Sequence, residues 1–486
     1  MKKPFYLILV LTILQVVPFN SNAQQKTNTT TLSSKIDRYL TAGSKNGFSG
    51  AISVVKNGKI ILHKGYGMAN RNTKTLNNPN TVFDIGSNTK QFTSTAILKL
   101  VELEKLNLTD SLSRFFKNLP KDKQNITIHQ LLSHSAGFTD AIGNDFDKVP
   151  QKQFFEKLFS TTLVSKPGEK YSYSNTGYSL LGRIIELVSG TSYETFLNDY
   201  LFLPAGMKQT GYLLPKWDAD QMPNEYNRNI LETDPTITRY QKDGDITWHL
   251  KANGGINSTQ NDMLLWFKAL KNNLILSEEL VNKLMTPYMS MNSKKTHHYG
   301  YGWIINESIS NTLRFSHNGS NGAFSHTILW YPKKDIYIVY ATNANSSKVE
   351  SIAYTVAKII LDKSYVPKPI KNNIYSFTMN YVRQYSTNKS NDLAALLKEN
   401  YADDFNSGIY NTIGNFLLRS HENLNWALEL FKMNTQLYPE DGNLWDSLGD
   451  GYKANNLKGD AIKSYQKAVE LGNKDSQKKL TELIEN

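Results

Sequence analysis

Two apolar runs near the start of the chain are separated by a turn sequence. Residues 51–55 and 60–62 are rich in apolar and β-branched side chains, and Asn57 and Gly58 stand between them. An Asn-Gly pair between such runs favours a tight hairpin, because both residues tolerate a positive φ. The pattern predicts two antiparallel strands.

A second pair of strand-like runs lies far along the chain. Residues 327–331 and 336–340 are apolar and are joined by Pro-Lys-Lys-Asp at residues 332–335. Apolar residues at helical spacing follow at 347–363, and residues 89–290 are predicted to be mostly helical. Strands at both ends with helices between them predict an α+β fold, in which distant segments form one antiparallel sheet flanked by helices and joined by an all-helical domain.

The sequence changes character after residue 365. Residues 366–376 hold two prolines among basic residues and are predicted to be a linker. Residues 377–486 are predicted to be a helical tail, and residues 442–475 match a tetratricopeptide unit. The matching positions of that unit are Trp445, Leu448, Gly449, Tyr452, Ala461, Tyr465 and Ala468. Because a stable array needs at least three units, either residues 377–418 supply further helices or the tail packs on the body.

The amino terminus has the pattern of an export signal. Two lysines open the chain, residues 5–19 are almost continuously apolar, and a small-x-small sequence ends at Ala23. The apolar run is shorter than the roughly 20 residues that span a bilayer. We predict that residues 1–23 are a removed signal peptide and residues 24–31 a flexible leader. The mature protein is then secreted or periplasmic without a stable membrane anchor; an uncleaved anchor is the alternative.

Composition narrows the classes of partner. The chain has no cysteine, so neither disulfides nor thiolate metal sites are expected. Its formal net charge of +12 falls to +10 once Lys2 and Lys3 leave with the signal. No arginine-rich run or basic-aromatic alternation indicates nucleic-acid binding. The excess of lysine is interpreted as an ordinary solvated surface.

The first candidate for chemistry is Ser87, three residues before Lys90. Four other Ser-x-x-Lys sequences occur, at Ser53, Ser386, Ser464 and Ser476, so only position distinguishes Ser87. A short run ending in glycine precedes it, and apolar residues at helical spacing follow. This predicts a helix N-terminus, where free N–H groups favour developing negative charge and Lys90 shares the face of Ser87. A helix cap and a surface lysine are the plain alternative.

Two further polar motifs follow in order. Tyr173-Ser174-Asn175 is the one Tyr-x-Asn sequence in the chain. A phenol titrates near pH 10, and the ammonium of Lys90 would favour its anion, which could take the proton of Ser87. The third motif, His317-Asn318-Gly319, is the least specific, since His63 and His298 also stand two residues before a glycine. A tyrosine-rich packing loop and a histidine in a turn are the alternatives.

Together these motifs resemble the serine β-lactamase-related family, which includes class C β-lactamases, penicillin-binding carboxypeptidases, related esterases and D-amino-acid peptidases. The family pattern is Ser-x-x-Lys, Ser-Asp-Asn and Lys-Thr-Gly. Here Tyr-Ser-Asn replaces the second motif, as in the class C branch, and His-Asn-Gly replaces the third. Residues 50–67, 128–137 and 254–259 also resemble the family. The resemblance covers residues 32–365, implies a β-lactamase/transpeptidase-like body, and excludes the tail.

The resemblance implies a catalytic group. Ser87 would attack a carbonyl to form an acyl-enzyme, and Lys90 and Tyr173 would relay its proton. No metal or cofactor is expected, and His129 and His134 are interpreted as structural loop residues.

The resemblance also implies a substrate-binding group. Asn175 and His317 would orient the substrate. The oxyanion would lie between the backbone N–H groups of Ser87 and Ser320, the residue after Gly319. A histidine titrating near pH 6.5 is mostly neutral at pH 7, so a substrate carboxylate would bind weakly and in a pH-dependent way.

The sequence therefore predicts an exported serine hydrolase of amide or ester bonds in D-residue peptides, small amides or esters. A class C-like β-lactamase or a D-Ala-D-Ala carboxypeptidase is the close alternative. A catalytically inactive binding or sensor module, with a protein partner recruited through the helical tail, is the alternative of another class.

Overall fold

The computed structural model describes residues 31–217, 221–233, 235–308, 311–346, 349 and 351–485. The predicted signal peptide and all but the last residue of the predicted leader lie outside these residues. Among the residues described, no helix is both long enough and apolar enough to cross a bilayer.

An antiparallel sheet forms the centre of the body. In chain order the strands are β1 (Gly50–Lys56), β2 (Lys59–Tyr66), β3 (Met68–Asn70), β4 (Thr75–Leu76), β5 (Phe83–Asp84), β6 (Glu225–Asn227), β7 (Leu231–Thr233), β8 (Asn257–Ser258), β9 (Met289–Ser290), β10 (His297–Tyr299), β11 (Ile304–Glu307), β12 (Leu313–Ser320), β13 (Ser325–Tyr331) and β14 (Ile336–Thr342). The main sheet has the order β2-β1-β14-β13-β12-β11-β10-β9, and three two-stranded ribbons accompany it.

The sheet joins the two ends of the body, as the apolar pattern predicts. Gly50 of β1 pairs with Thr342 of β14. The β1–β2 turn has Asn57 at φ 50° and Gly58 at φ 71°, which is the left-handed pair that an Asn-Gly hairpin requires. The prediction of an antiparallel sheet built from distant segments is confirmed.

Helices cover both faces of this sheet and form the rest of the chain. They are α1 (Leu32–Ser44), α2 (Thr89–Glu102), α3 (Ile128–Leu132), α4 (Gln151–Ser160), α5 (Asn175–Ser189), α6 (Tyr193–Leu197), α7 (Leu203–Ala205), α8 (Thr236–Asp243), α9 (Gln260–Lys271), α10 (Glu278–Leu284), α11 (Ile352–Leu361), α12 (Ile374–Gln384), α13 (Ser390–Tyr401), α14 (Ser407–Ser420), α15 (Leu424–Leu437), α16 (Gly442–Ala454), α17 (Lys458–Glu470) and α18 (Asp475–Glu485).

The two faces of the sheet belong to two hydrophobic cores. Ile338 and Tyr340 of β14 pack with α1 and α11, whereas Tyr337 and Val339 pack with the helices between β5 and β9. This alternation follows from the two-residue period of a strand. Because both faces are covered, the strands are almost continuously apolar and fix the position of the segments that carry the site.

Seven helices, α12 to α18, form the described part of the tail. Glycines let them approach closely: a Cβ on Gly414 would lie 2.5 Å from the Phe431 ring, and one on Gly449 would lie 2.4 Å from the Tyr465 ring. Helix α12 begins at Ile374, inside the stretch predicted as linker, because Asn373 caps it and Ile374 is buried. The domain limits and the tetratricopeptide assignment stay predictions.

The tail is attached to the body by hydrogen bonds as well as by the connecting chain. Asn229 donates from Nδ2 to Ser376 Oγ at 2.8 Å, and Asn46 donates to the Ile370 carbonyl at 2.8 Å. Ile230 also packs against the apolar core of the tail helices.

Candidate active site

Ser87 lies in a single 3-10 turn, Gly86–Asn88, between β5 and α2. The turn is held by β8, because β5 pairs with β8 and the Ile85 N–H donates to the Ile256 carbonyl at 2.9 Å. Gly86 adopts φ +50°, a conformation that an L side chain rarely takes. Among residues 81–90, Ser87 alone is more than marginally exposed to solvent. The fold therefore presents one hydroxyl at the start of a helix.

Lys90 lies directly beneath that hydroxyl. Its Nζ is 3.1 Å from Ser87 Oγ and 2.7 Å from both Asn175 Oδ1 and the Asn253 carbonyl oxygen. The side chain is completely buried. Burial lowers the pKa of Lys90 to about 7, although the carboxylates of Asp140 and Asp145 act in the opposite direction. At neutral pH a large fraction of this amine is therefore unprotonated and able to accept a proton.

Tyr173 lies against the same group. The Lys90 Nζ is 4.8 Å from the centre of the Tyr173 ring, and the phenol hydrogen-bonds to the Ser87 side chain. Burial raises the pKa of Tyr173 well above its usual value, while the hydrogen bond to Ser87 acts to lower it. The phenol is therefore protonated at neutral pH, contrary to the sequence-based interpretation of it as an anion.

Asn175 is the first residue of α5, and Ser174 caps that helix by accepting a hydrogen bond from Gly177 N–H at 3.0 Å. The cap turns the Asn175 side chain toward Lys90. Because Oδ1 accepts from the lysine, the amide Nδ2 remains as a donor for a substrate carbonyl.

The end of β12 packs on the Ser87 turn. A Cβ on Gly319 would lie 2.1 Å from the Ile85 carbonyl oxygen and 2.6 Å from the Ser87 nitrogen. A Cβ on Gly86 would lie 2.5 Å from the Ser320 nitrogen. Only glycines permit this approach, since real Cβ atoms do not come so close to backbone. The end of β12 and the Ser87 turn therefore pack closely, with the backbone nitrogens of Ser87 and Ser320 at their contact.

His317 has different surroundings from those that the sequence predicts. Its ring is buried at 3% exposure, its Nδ1 lies 2.7 Å from the Asn318 carbonyl oxygen, and its Nε2 lies 3.0 Å from the Tyr299 hydroxyl. Burial, and then the charge of Lys90, lower the pKa of His317 to about 3. The ring is therefore neutral throughout the physiological range, so the expected change in carboxylate binding near pH 6.5 has no basis in this histidine.

Some contributing residues carried no clear sequence signal. The sequence indicates a structural loop residue at His134, and in the structure its ring centre is 4.3 Å from that of Tyr173 and its Nδ1 accepts from Ser174 N–H at 3.1 Å. It therefore positions the second motif. Asp84 accepts from Gly86 N–H at 2.7 Å and from Asn321 Nδ2 at 3.1 Å, so it fixes the Ser87 turn.

A small cavity of about 60 Å³ opens over Ser87. Its lining includes Asn175, Asn253 and Ser320 together with the carboxylates of Asp84 and Asp145. Within the described part of the chain, no lysine or arginine lines this cavity. Nor do the described residues contain three or more His, Cys, Asp or Glu arranged to hold a metal ion.

With this geometry in place, the comparison with protein families is decisive. Residues 36–361 match the sequence profile of the family described as Beta-lactamase. The chain belongs to the beta-lactamase family. Members of this family and the related penicillin-binding proteins are serine hydrolases. The match contains Ser87, Lys90, Tyr173, Asn175 and His317, and it ends before the helical tail.

Individual relatives match the body of this beta-lactamase-family chain but do not match the chain over its full length. Protein flp of Staphylococcus aureus strain MW2 is 31% identical over 366 residues, 73% of this chain and 66% of the relative. Penicillin-binding protein 4* of Bacillus subtilis strain 168 is 28% identical over 324 residues, 63% of this chain and 70% of the relative. The chain thus spans about two thirds of the length of these proteins.

Solved structures have the same fold. The octameric penicillin-binding protein homologue from Pyrococcus abyssi aligns with a TM-score of 0.59 at 28% identity, over 73% of this chain and 81% of that one. A class C beta-lactamase aligns with a TM-score of 0.58 at 21% identity, over 70% of this chain and 99% of that one. The second likeness concerns the fold alone. The expected β-lactamase/transpeptidase-like body is confirmed.

Proposed function

We propose that this protein is an exported serine hydrolase that cleaves amide or ester bonds through an acyl-enzyme on Ser87. The observation that carries the proposal is the 3.1 Å distance between Lys90 Nζ and Ser87 Oγ, combined with the lowering of the pKa of that buried amine to about 7. A serine hydroxyl is a weak nucleophile unless an adjacent base removes its proton. An unprotonated lysine at this distance supplies that base.

In the first step the free amine of Lys90 takes the proton of Ser87 Oγ while the oxygen attacks the substrate carbonyl carbon. The carbonyl oxygen becomes an oxyanion, which the N–H groups of Ser87 and Ser320 stabilise. Removing one such donor typically costs about 2.7–4 kcal/mol, so these groups matter as much as the base.

In the second step the tetrahedral intermediate collapses, and the leaving amine or alcohol takes a proton from the Tyr173 phenol. The Lys90 ammonium then returns a proton to the phenol. Water, activated by the same pair, adds to the acyl-enzyme and releases the acid. We therefore assign Lys90 as the base and Tyr173 as the proton donor. Burial lowers the pKa of the Lys90 amine and raises the pKa of the Tyr173 phenol, which favours the neutral amine and the protonated phenol.

The charges around Ser87 favour substrates that carry no carboxylate near the reacting bond. His317 is neutral and buried, and within the described part of the chain no lysine or arginine lines the cavity to attract an anion. We propose D-residue peptides, small amides and esters as substrates, with poor activity on β-lactams. The names of the relatives keep a class C-like β-lactamase or a D-Ala-D-Ala carboxypeptidase as the second candidate. A protein partner bound through the tail helices is a further proposal.

A labelling experiment tests the proposed nucleophile. We expect a fluorophosphonate or a fluorescent penicillin to label the wild-type protein and to leave Ser87→Ala unlabelled. Ser386→Ala, which changes an exposed serine in another Ser-x-x-Lys sequence, is the matched control and retains labelling. Absence of labelling by both probes in a folded wild-type protein would favour the inactive binding or sensor module.

We expect ester hydrolysis to increase with pH through about 7 and then to level off. The reason is that Lys90 must lose its proton to act as the base, and the pKa of this buried amine is lowered to about 7. Below pH 7 the amine is protonated, so activity falls. The measurement is kcat/KM against pH between 5 and 9 for a neutral ester.

Two variants separate the contribution of Lys90 from its neighbours. Burial also raises the pKa of Asp84 to about 7, so Asp84→Asn tests whether that carboxyl causes the inflection. His317→Gln tests the histidine, whose pKa of about 3 lies outside the range. An inflection that persists in both variants is expected; its loss in Asp84→Asn would assign the titration to Asp84.

A further inference from the structure

One buried carboxylate joins the two segments that carry the N–H groups assigned to the oxyanion. Ser87 lies in the turn after β5, and Ser320 is the last residue of β12. Asp84 of β5 accepts from the Gly86 N–H at 2.7 Å through Oδ1 and from Asn321 Nδ2 at 3.1 Å through Oδ2. Asp84 is 2% exposed. The carboxylate therefore holds the residue before Ser87 and the residue after Ser320.

The Asn321 amide is fixed in the orientation that this bridge requires. Its Oδ1 accepts from the Ala323 N–H at 3.0 Å and from the Phe324 N–H at 2.7 Å. Because the amide oxygen accepts from the turn between β12 and β13, the amide nitrogen faces β5. Nδ2 also donates to Thr236 Oγ1 at 3.1 Å. The amide therefore connects the turn after Ser320 with both β5 and α8.

Helix α8 supports the same amide through a second buried acid. The Thr236 N–H donates to Glu225 Oε1 at 2.7 Å, and the Thr236 hydroxyl hydrogen-bonds to the same oxygen. The hydroxyl proton is thereby engaged, so Thr236 Oγ1 presents a lone pair to Asn321. Glu225 lies on β6 and is 8% exposed. The position of Asn321 thus depends on two acceptors that lie 237 and 85 positions away in sequence.

The chemistry of the bridge requires a carboxylate at residue 84. Both of its partners are N–H donors, and a carboxylate offers acceptors on both oxygens. An amide in its place would offer one acceptor and would turn a donor toward the other N–H, so one of the two bonds would be lost. Burial raises the pKa of Asp84 to about 7, so the ionised form predominates at pH 8.

We propose that Asp84 and Asn321 are positioning residues, which set the separation and direction of the Ser87 and Ser320 N–H groups and so determine how well these groups stabilise the oxyanion. They act through the backbone of Gly86 and of the turn after β12. This inference rests on the proposed acyl transfer at Ser87 and adds the device that aligns its two oxyanion donors.

The first experiment compares kcat/KM at pH 8 for p-nitrophenyl acetate and for its thiono analogue, in which sulfur replaces the carbonyl oxygen. Sulfur is a weak hydrogen-bond acceptor, so the thionoester gains little from well-placed N–H groups. We expect Asp84→Asn to lower the ester to thionoester ratio at least about tenfold, as for a lost buried hydrogen bond to a charged group. A general structural defect would lower both rates and leave the ratio unchanged. Asp403→Asn, on an exposed side chain of the tail, is the matched control and keeps the wild-type ratio.

The second experiment exchanges the two side chains. Asn321→Asp alone places a second carboxylate against Asp84, so it should also lower the ratio. In the double variant Asp84→Asn/Asn321→Asp, the amide at position 84 accepts from the Gly86 N–H and donates to the carboxylate at position 321. That carboxylate also accepts from the N–H groups of the turn. We expect the ratio to recover to within about threefold of the wild-type value, whereas independent effects of the two substitutions would multiply.

The outcomes separate the alignment of the donors from the chemistry. Circular dichroism shows whether each variant is folded, and Asn321→Ala, on the half-buried turn, replaces Asp84→Asn if the latter does not fold. An unchanged ratio in the folded variant would overturn the positioning role, and a double variant with a ratio no higher than those of the single variants would overturn the bond between the two side chains as its cause.

In either of these cases, labelling of Ser87 and hydrolysis of p-nitrophenyl acetate by the wild-type protein would still support acyl transfer. Failure of the wild-type protein to hydrolyse either ester, together with absence of labelling, would overturn both proposals.

Discussion

Replacement of Lys90 by Met is expected to lower kcat/KM for a neutral ester by about 10²- to 10⁴-fold, the usual contribution of a positioned general base. The substitution keeps the length and most of the volume of the buried side chain, and it removes the amine that lies 3.1 Å from Ser87 Oγ. It should also remove the pH dependence near 7, because we assign that inflection to the amine, whose pKa is lowered to about 7. The measurements are steady-state kinetics and the pH profile.

Two variants make this result specific. Lys90→Arg should not restore activity, because a guanidinium does not lose its proton in proteins. Lys105→Met, on an exposed side chain of the same region, is the matched control and should keep wild-type activity. Circular dichroism shows whether each variant is folded. If Lys90→Met retained more than about a tenth of wild-type activity, a group other than this amine would be the base.

Replacement of Gly319 by Ala is expected to lower kcat by about 10²- to 10³-fold, as for loss of an oxyanion donor. The added Cβ would lie 2.1 Å from the Ile85 carbonyl oxygen and 2.6 Å from the Ser87 nitrogen. Neither contact is with a flexible side chain, so β12 must move away from the Ser87 turn. That movement separates the Ser87 and Ser320 N–H groups. Overpacking of this kind also costs about 1–3 kcal/mol of stability.

The measurements are kcat for a neutral ester and the midpoint of thermal unfolding. Gly459→Ala is the matched control, because a Cβ at that position in helix α17 meets nothing within 4 Å. Alanine is a better helix former than glycine, so this variant should unfold at the same or a slightly higher temperature. A Gly319→Ala protein with wild-type kcat and stability would show that β12 does not position the oxyanion donors.

Several strands, turns and helices of the body could be predicted from the sequence, because they depend on residues that are close together along the chain. The Asn57-Gly58 turn, the period-2 strands on either side of residues 332–335 and the helix after Ser87 depend on φ preferences and on the spacing of apolar residues over a few positions. The three polar motifs are also short local sequences, so their order and their resemblance to a family can be read from the chain. The structure brings four of their residues together: Ser87, Lys90, Tyr173 and Asn175.

Other features depend on segments that are far apart in sequence. Burial of His317 results in part from Tyr299 of β10, whose ring packs against the imidazole, and no residue beside His317 in the sequence indicates this. The pKa of Lys90 is lowered because α5 and the Asn253 segment cover the amine. The groove lined by Phe146 and Trp248 forms where α8 faces the segment before α4. Desolvation and cavity shape are properties of how elements pack, so no local pattern encodes them.

The sequence by itself therefore determined the strands and helices, the order of the polar motifs and the class of chemistry that they resemble. Only the tertiary structure decided that the pKa of the buried Lys90 amine is lowered to about 7 and that His317 is buried and neutral. The physical reason is that hydrogen bonding and backbone preference act between neighbours along the chain, whereas burial and electrostatic environment are set by residues that meet only after folding.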